Sequence, residues 1–188
     1  RESRGRPAAH PTMNDYSEHL LLDKPRKTSS HFSVWVTLVV PFAAILFQVY
    51  VPLFFQYLSY LELPLLVTVY FSLMRRQPLA GTFIGAGIGL LQDSLSHQPI
   101  GMFGIVKTLV GYFAASIGMR FDVEHQVVRF LLGLFFFFFH QFFYWVLTRA
   151  LLGQQLGFDL TQTLMLGVLN ALVALPLFHF LDKLKETS

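Results

Sequence analysis

Two charged residues lie inside apolar segments of this 188-residue chain, and their chemistry makes them the first candidates for a functional site. Asp93 closes a segment that starts at Gly81, and Lys107 lies in an otherwise uncharged stretch that follows Pro99. Inserting either ion into a bilayer costs about 2.5–3.5 kcal/mol on insertion scales, so an intramembrane charge is a functional-site hypothesis by default. We predict that Asp93 and Lys107 form an intramembrane charge pair.

The depth of the two residues agrees with pairing. Asp93 precedes Pro99 by six residues and Lys107 follows it by eight, which is roughly 9 Å and 12 Å at a rise of 1.5 Å per residue. On adjacent antiparallel helices both side chains would therefore lie at similar depth in the outer leaflet. The alternative is that Asp93 lies in water at the outer interface and Lys107 snorkels toward it. The sequence leaves both interpretations open.

Small residues on both arms of this segment predict a tightly packed helix hairpin. Positions i and i+4 share a helix face, and small residues allow membrane helices to approach closely. Pro99 and Gly101 are predicted to form the hairpin turn between the arms. The predicted helix-packing glycines are Gly81, Gly85, Gly89, Gly104, Gly111 and Gly118.

Three more polar residues within apolar segments are candidate polar contacts: His140, Arg149 and Asn170. Asn170 follows Gly167 by three residues, which suggests a hydrogen bond between helices. Each of the three residues could also line a cavity for a small polar ligand or a lipid headgroup. A packing contact is the commoner role for such residues, and for His140 a satisfied buried histidine is commoner than a ligand.

The composition predicts an all-α membrane protein. Hydrophobic residues make up 54% of the chain and charged residues only 13%, against about 25% charged in soluble domains. The apolar residues form blocks that are long enough to cross a bilayer. We predict six transmembrane helices, at about 32–55, 61–74, 79–95, 100–119, 128–152 and 160–181.

The positions of Lys and Arg predict the orientation. They gather before the first block, between the second and third, between the fourth and fifth, and after the sixth. The positive-inside rule then places both termini in the cytoplasm. The predicted organisation is a cloning remnant at 1–12, a cytoplasmic N-terminal tail at 13–31, a six-helix transmembrane domain at 32–182 and a cytoplasmic C-terminal tail at 183–188.

Enzymatic signals are poor in this sequence. The absence of cysteine excludes disulfides, thiolate nucleophiles and cysteine-ligated metals. No zinc-protease, nucleophile-elbow or phosphate-loop motif is present. We therefore predict a protein that is not an enzyme, with no catalytic residue, no metal site and no cofactor. In a membrane protein the basic residues at loop positions report orientation. The net charge of +3 is therefore not evidence of nucleic-acid binding, and no nucleic-acid partner is predicted.

Residues 61–121 resemble the MreD family, the rod-shape-determining membrane proteins of bacterial cell-wall elongation. The matching segments are Ser72–Pro78, Gly85–Asp93, Pro99–Gly101, Lys107–Tyr112 and Arg120. The resemblance implies a multi-pass protein of the bacterial inner membrane. It also implies a six-helix bundle similar to the substrate-binding S components of ECF vitamin transporters.

The resemblance further implies a non-enzymatic scaffold or regulator of the elongation complex. Its expected partners are an MreC-like protein, RodA with its class B penicillin-binding protein, and indirectly MreB, together with membrane lipid. The alternative hypothesis is an S-component-like subunit of a transporter that binds a small molecule. Both hypotheses predict the same fold, which does not decide between them. The short outward loops and the absence of strong ligand-binding polarity favour the scaffold, and a lipid-acting enzyme has little support.

Overall fold

The computed structural model describes residues 33–96, 99, 101–153, 157 and 159–186. Within these ranges the chain forms α-helices and two short 3-10 helices, with no strand. The predictions for the segments 1–12 and 13–31 lie outside the described residues.

Six α-helices follow one another within the described residues, which confirms the predicted all-α fold with six helices. They are α1 (Val34–Tyr50), α2 (Leu63–Arg75), α3 (Pro78–Leu95), α4 (Met102–Arg120), α5 (Gln126–Leu152) and α6 (Leu160–Glu186). The two 3-10 helices, Val51–Leu53 and Gln56–Tyr60, lie between α1 and α2.

Two helix ends differ from the prediction. The first helix ends at Tyr50 and not near Phe55, because Pro52 has no backbone N–H with which to continue the α-helical hydrogen bonding. The last helix continues to Glu186, beyond the predicted end at Leu181. No proline or glycine interrupts that terminal stretch, and its leucine, lysine and glutamate residues favour helix.

Five segments of the described chain are long and apolar enough to cross a membrane. They are Trp35–Leu53, Gln56–Arg75, Met102–Arg120, Gln126–Leu152 and Leu160–Leu184. The second span includes a 3-10 helix as well as α2, so the short predicted second helix gains length from the segment before it. The helix outside this set is α3, whose four glycines and polar Gln92 and Asp93 lower its mean hydropathy.

The core of the bundle is centred on α2, in which every residue from Pro64 to Met74 is buried. Helices α3 and α4 form the closest pair and both pack on α2, while α5 packs on α6. We call the end of the bundle that holds the α3–α4 connection the turn end. The opposite end, where α2 and α4 finish at Arg75 and Arg120, is called the basic end.

Candidate functional site

The carboxylate of Asp93 joins the end of α3 to the start of α4. Its side chain is buried, with 2% of the residue exposed. Oδ2 accepts hydrogen bonds from the backbone N–H groups of Gly101 at 3.0 Å and Gly104 at 2.9 Å, and Oδ1 accepts one from Phe103 at 3.0 Å. The first N–H groups of a helix have no partner within it, and an anion there also complements the helix dipole. Asp93 therefore caps α4 from a neighbouring helix.

The connection itself requires a glycine. Gly101 is the N-cap of α4 and has φ +99° and ψ −13°, a left-handed conformation that residues with a Cβ rarely adopt. The carbonyl of Pro99 accepts a hydrogen bond from the N–H of Met102 at 3.4 Å. Both predicted turn residues thus lie in the connection between the two arms.

Three of the four glycines of α3 lie directly against the backbone of α4. A Cβ added to Gly85 would collide with the carbonyl oxygen of Lys107. Gly81 and Gly111 face each other, so that a Cβ on either would meet the carbonyl oxygen of the other. These contacts are the close approach that the spacing of small residues predicts.

The other three glycines make comparable contacts. A Cβ on Gly89 would meet the carbonyl of Phe103, and a Cβ on Gly104 would lie 2.9 Å from Cδ2 of Leu90. Gly118 differs in its neighbour, because it faces the backbone of Leu73 in α2. The glycines of α4 therefore contact two helices: Gly104 and Gly111 face α3, and Gly118 faces α2.

Lys107 is completely buried, with 0% exposure. Its Nζ lies 3.5 Å from Nε2 of His140 and 4.5 Å from the centroid of the Phe103 ring. The carboxylates of Glu62 and Asp93 attract it electrostatically. We call Glu62, Asp93, Lys107 and His140 the polar cluster.

The predicted direct salt bridge between Asp93 and Lys107 is not formed in this arrangement. Within the described part of the chain, the ion pair within 4 Å is Arg129–Asp182. The physical reason lies in Asp93, whose two oxygens already hold three backbone N–H groups of α4. The two charges attract each other without direct contact.

His140 lies in a stack of rings beside Lys107. Its ring is nearly parallel to that of Phe103, with centroids 6.0 Å apart, and to that of Tyr144, at 6.2 Å. The residue is 1% exposed. Its Nδ1 is buried without a hydrogen-bond partner in the described chain. The candidate polar contact of His140 is thus with the amine of Lys107.

Asn170 holds α6 against the segment that precedes α2. Its Oδ1 accepts a hydrogen bond from the backbone N–H of Glu62 at 2.8 Å. Its Nδ2 donates to the carbonyls of Tyr60 and Leu166, both at 2.9 Å. Asn170 is fully buried. It therefore bonds across the bundle to the segment that precedes α2.

Glu62 is the member of the polar cluster that sequence reasoning missed. It is the residue that precedes α2, and its Oε2 is buried without a hydrogen-bond partner among the described residues. An available signal was its position at the turn end, beside the start of an apolar helix and at the same end as Asp93. That signal was weak because an acid before a helix is commonly solvated.

Arg149 lies apart from the polar cluster. The residue is exposed, and its guanidinium lies 5.5 Å from the centroid of the Trp145 ring, one turn earlier in α5. In the described ranges, no group of three or more His, Asp or Glu side chains is arranged to hold a metal ion.

A second polar network, not predicted from the sequence, ties three helices together toward the basic end. Nη1 of Arg129 donates to Oδ2 of Asp182 at 2.6 Å, and the hydroxyl of Tyr70 donates to Oδ1 at 2.7 Å. Nε of Arg129 also donates to the carbonyl of Val123 at 2.8 Å. The sequence analysis used this arginine only as a marker of orientation. Its position at the start of α5, with an acid near the end of the antiparallel α6, was an available signal.

In both networks, the charged side chains hold neighbouring helices together. Asp93 binds backbone N–H groups, and Arg129 binds a carboxylate and a carbonyl. The hydrogen-bond contact of Lys107 is longer than these, a single nitrogen neighbour at 3.5 Å. Buried ionisable residues in membrane helices are costly, so these positions mark where the bundle is most specifically organised.

Comparison with known proteins identifies the family. A family model described as rod shape-determining protein MreD matches residues 29–185, which is most of the chain and includes all six helices nearly to the end of α6. No curated protein and no solved structure is similar enough to the chain to count as a match. The predicted resemblance is thereby confirmed. The chain belongs to the MreD family of rod shape-determining proteins, which lie in the bacterial inner membrane and act in cell shape.

Proposed function

We propose that this protein is a non-enzymatic scaffold or regulator of the cell-wall elongation complex. In this role it binds an MreC-like protein, links it to RodA and its class B penicillin-binding protein, and is connected indirectly to MreB. The observation that carries the proposal is the separation of charged and apolar residues in the bundle. The charged groups of the two networks fix helices from within, while the outer faces of α1, α5 and α6 are apolar and exposed.

The exposed face of α5 is the part of this surface best suited to contact a partner helix. Leu131 is 56% exposed, Phe135 50% and Phe142 52%, and these residues follow one another along α5 at helical spacing. Lipid also covers such faces, and membrane lipid is a further expected partner. A single-span protein of the MreC kind would need a continuous apolar helix face of this type.

We further propose the orientation and organisation on which this role depends. Both termini lie in the cytoplasm, so that the basic end is internal and the turn end external. The positive charges of Arg75, Arg76, Arg120 and Lys183 support this orientation. The transmembrane domain would then be 32–182, between cytoplasmic tails at 13–31 and 183–188, with a bundle similar to ECF S components.

A small-molecule-binding subunit of a transporter is the second candidate function. The observation that favours it is the polar cluster, where buried polar atoms of Glu62 and His140 have no partner in the described chain. Such atoms are a feature of ligand sites, which combine apolar walls with a few convergent polar groups.

Site-specific photo-crosslinking in the native membrane tests the scaffold. A photoreactive amino acid replaces Phe142 or Leu131 on the exposed face of α5, and Phe136, which is 0% exposed on the same helix, is the matched control. We expect an adduct with an MreC-like protein from the exposed positions and none from position 136. Adducts with transporter ATPases and a coupling subunit, and none with cell-wall proteins, would move the function to transport.

A further inference from the structure

We propose that the polar cluster binds a hydroxyl group between Lys107, His140 and Glu62. The ligand class is a neutral hydroxyl that donates and accepts hydrogen bonds, and it has two possible sources, water and the headgroup hydroxyls of a glycerol lipid. This binding site does not depend on the scaffold function proposed above. The experiment described below distinguishes the two sources.

The first argument is an excess of hydrogen-bond donors. The ammonium of Lys107 has three N–H donors, and its hydrogen-bond contact is with Nε2 of His140 at 3.5 Å. An ammonium can only donate, so Nε2 must accept, and a neutral imidazole then carries its proton on Nδ1. That Nδ1 is buried without a partner among the described residues. Both side chains therefore present unused N–H groups in a buried environment.

The second argument is the presence of an acceptor beside these donors. Oε2 of Glu62 is buried and has no hydrogen-bond partner within the described chain. The charge of Glu62 also attracts that of Lys107. Buried polar atoms are nearly always paired with protein or with ordered water. A group that accepts from Lys107 and donates to Glu62 would satisfy both sides at once.

A neutral ligand leaves the charges of the cluster unchanged. The ammonium of Lys107 already lies in the field of the carboxylates of Glu62 and Asp93, so no further ion is needed to balance it. Polar cavities hold water through about three hydrogen bonds, whereas apolar cavities stay dry. A hydroxyl has the required donor and acceptor capacity without adding charge.

Glu62 is the most exposed residue of the site and lies at the turn end. The residue is partly exposed, although its Oε2 is buried. It precedes α2 directly after the 3-10 helix Gln56–Tyr60, which carries the exposed Tyr57. A small hydroxyl could enter from this side without separating α3 from α4.

Hydroxyl-radical footprinting of the intact protein in nanodiscs tests the proposal. X-ray pulses in ¹⁸O-labelled water produce radicals from bound water, which then oxidise the side chains nearest to it. The reporter is His140, and the reference is Phe137, which has the same 1% exposure on the same helix. Phenylalanine reacts with the radical at least as fast as histidine, so greater labelling of His140 would reflect nearby water and not intrinsic reactivity.

Two lipids distinguish the sources of the hydroxyl. Phosphatidylcholine has no headgroup hydroxyl, so in that bilayer water alone can supply the group, and we expect labelling of His140 several-fold above Phe137. Equal labelling in phosphatidylglycerol assigns the site to water. Protection in phosphatidylglycerol assigns it to the lipid hydroxyl. Labelling of His140 no faster than Phe137 in phosphatidylcholine would overturn the proposal.

A variant identifies the group that holds the hydroxyl. Lys107→Met shortens the side chain by one atom and removes its donors, so labelling of His140 should fall to the level of Phe137. Arg149→Met removes a cation from the same half of the bundle outside the polar cluster, and it should leave the labelling unchanged. Undiminished labelling in the Lys107 variant would contradict the role given to the ammonium.

Discussion

Substitution of Gly85 by alanine should separate α3 from α4, whereas the same change at Gly87 should not. A Cβ at position 85 would occupy the space of the carbonyl oxygen and carbon of Lys107. Backbone atoms cannot rotate away as a side chain can, so the two helices themselves must move apart. At position 87 no atom lies within 4 Å of the added Cβ.

The size of the expected loss in the free energy of unfolding follows from these contacts. Overpacking of a tight interface costs about 1–3 kcal/mol, and the upper end applies because the obstacle is backbone. Separation would also strain the Gly81–Gly111 contact and the hydrogen bonds from α4 to Asp93. Both variants gain the same helix propensity, up to about 1 kcal/mol for alanine over glycine, so this contribution cancels between them. The two variants should therefore differ by the overpacking cost, about 2–3 kcal/mol in the free energy of unfolding.

Reversible unfolding in mixed detergent and dodecyl sulfate micelles measures this difference. Tryptophan fluorescence reports the transition, since Trp35 and Trp145 lie in α1 and α5, outside the substituted helix pair. The expected order of stability is Gly87→Ala at or above wild type, and Gly85→Ala well below it. Equal stability of the two alanine variants would refute the close approach of α3 and α4 at this position.

Four further substitutions test the polar contacts by the same unfolding measurement. Asp93→Asn should lose about 2 kcal/mol, because its NH₂ group must face a backbone N–H where the carboxylate accepted one; wild-type stability would contradict the cap of α4. Arg129→Ala should cost about 2–3 kcal/mol, less than a fully buried pair because Asp182 is partly exposed. Tyr70→Phe, which removes one hydrogen bond to the same carboxylate, should cost only about 1 kcal/mol. Asn170→Leu should lose about 2–3 kcal/mol, because the N–H of Glu62 and the carbonyl of Tyr60 lose their partner, and a neutral effect would contradict that geometry.

The number of helices and their packing glycines followed from sequence patterns that have direct physical causes. Apolar runs of membrane-spanning length can satisfy their backbone groups only as helices. Glycine at four-residue spacing permits close backbone contact on one face, and Gly81, Gly85 and Gly89 all make such contact with α4. The family resemblance, which the segments around this hairpin suggested, extends over most of the chain.

The partners of the buried charges did not follow from the sequence. Spacing gave the depth of Asp93 and Lys107, but it could not show that the turn at Gly101 directs three N–H groups toward the carboxylate. Glu62 was missed because its burial depends on the 3-10 segment before α2, which no periodicity reveals. The Arg129–Asp182 pair depends on how α5 lies against α6, and that contact is a property of the packed bundle.

The choice between two carboxylates for Lys107 can be decided by double-mutant cycles. Both Glu62 and Asp93 attract the ammonium, but only Glu62 has an oxygen without a hydrogen-bond partner in the described chain. The carboxylate of Asp93 already accepts three hydrogen bonds from backbone N–H groups. These bonds weaken its electrostatic attraction to Lys107. We therefore expect a larger coupling energy between Lys107 and Glu62 than between Lys107 and Asp93.

The expected values are about 1–2 kcal/mol for the Glu62 cycle and below about 1 kcal/mol for the Asp93 cycle, within the range of coupled neighbouring residues. Single and double alanine variants are compared by their free energies of unfolding. Asp93→Ala alone should cost more than Lys107→Ala, because it removes three hydrogen bonds whether or not the lysine is present. Additive losses in both cycles would show that neither acid pairs with Lys107. A larger coupling to Asp93 would restore the direct pair that the spacing of the hairpin predicts.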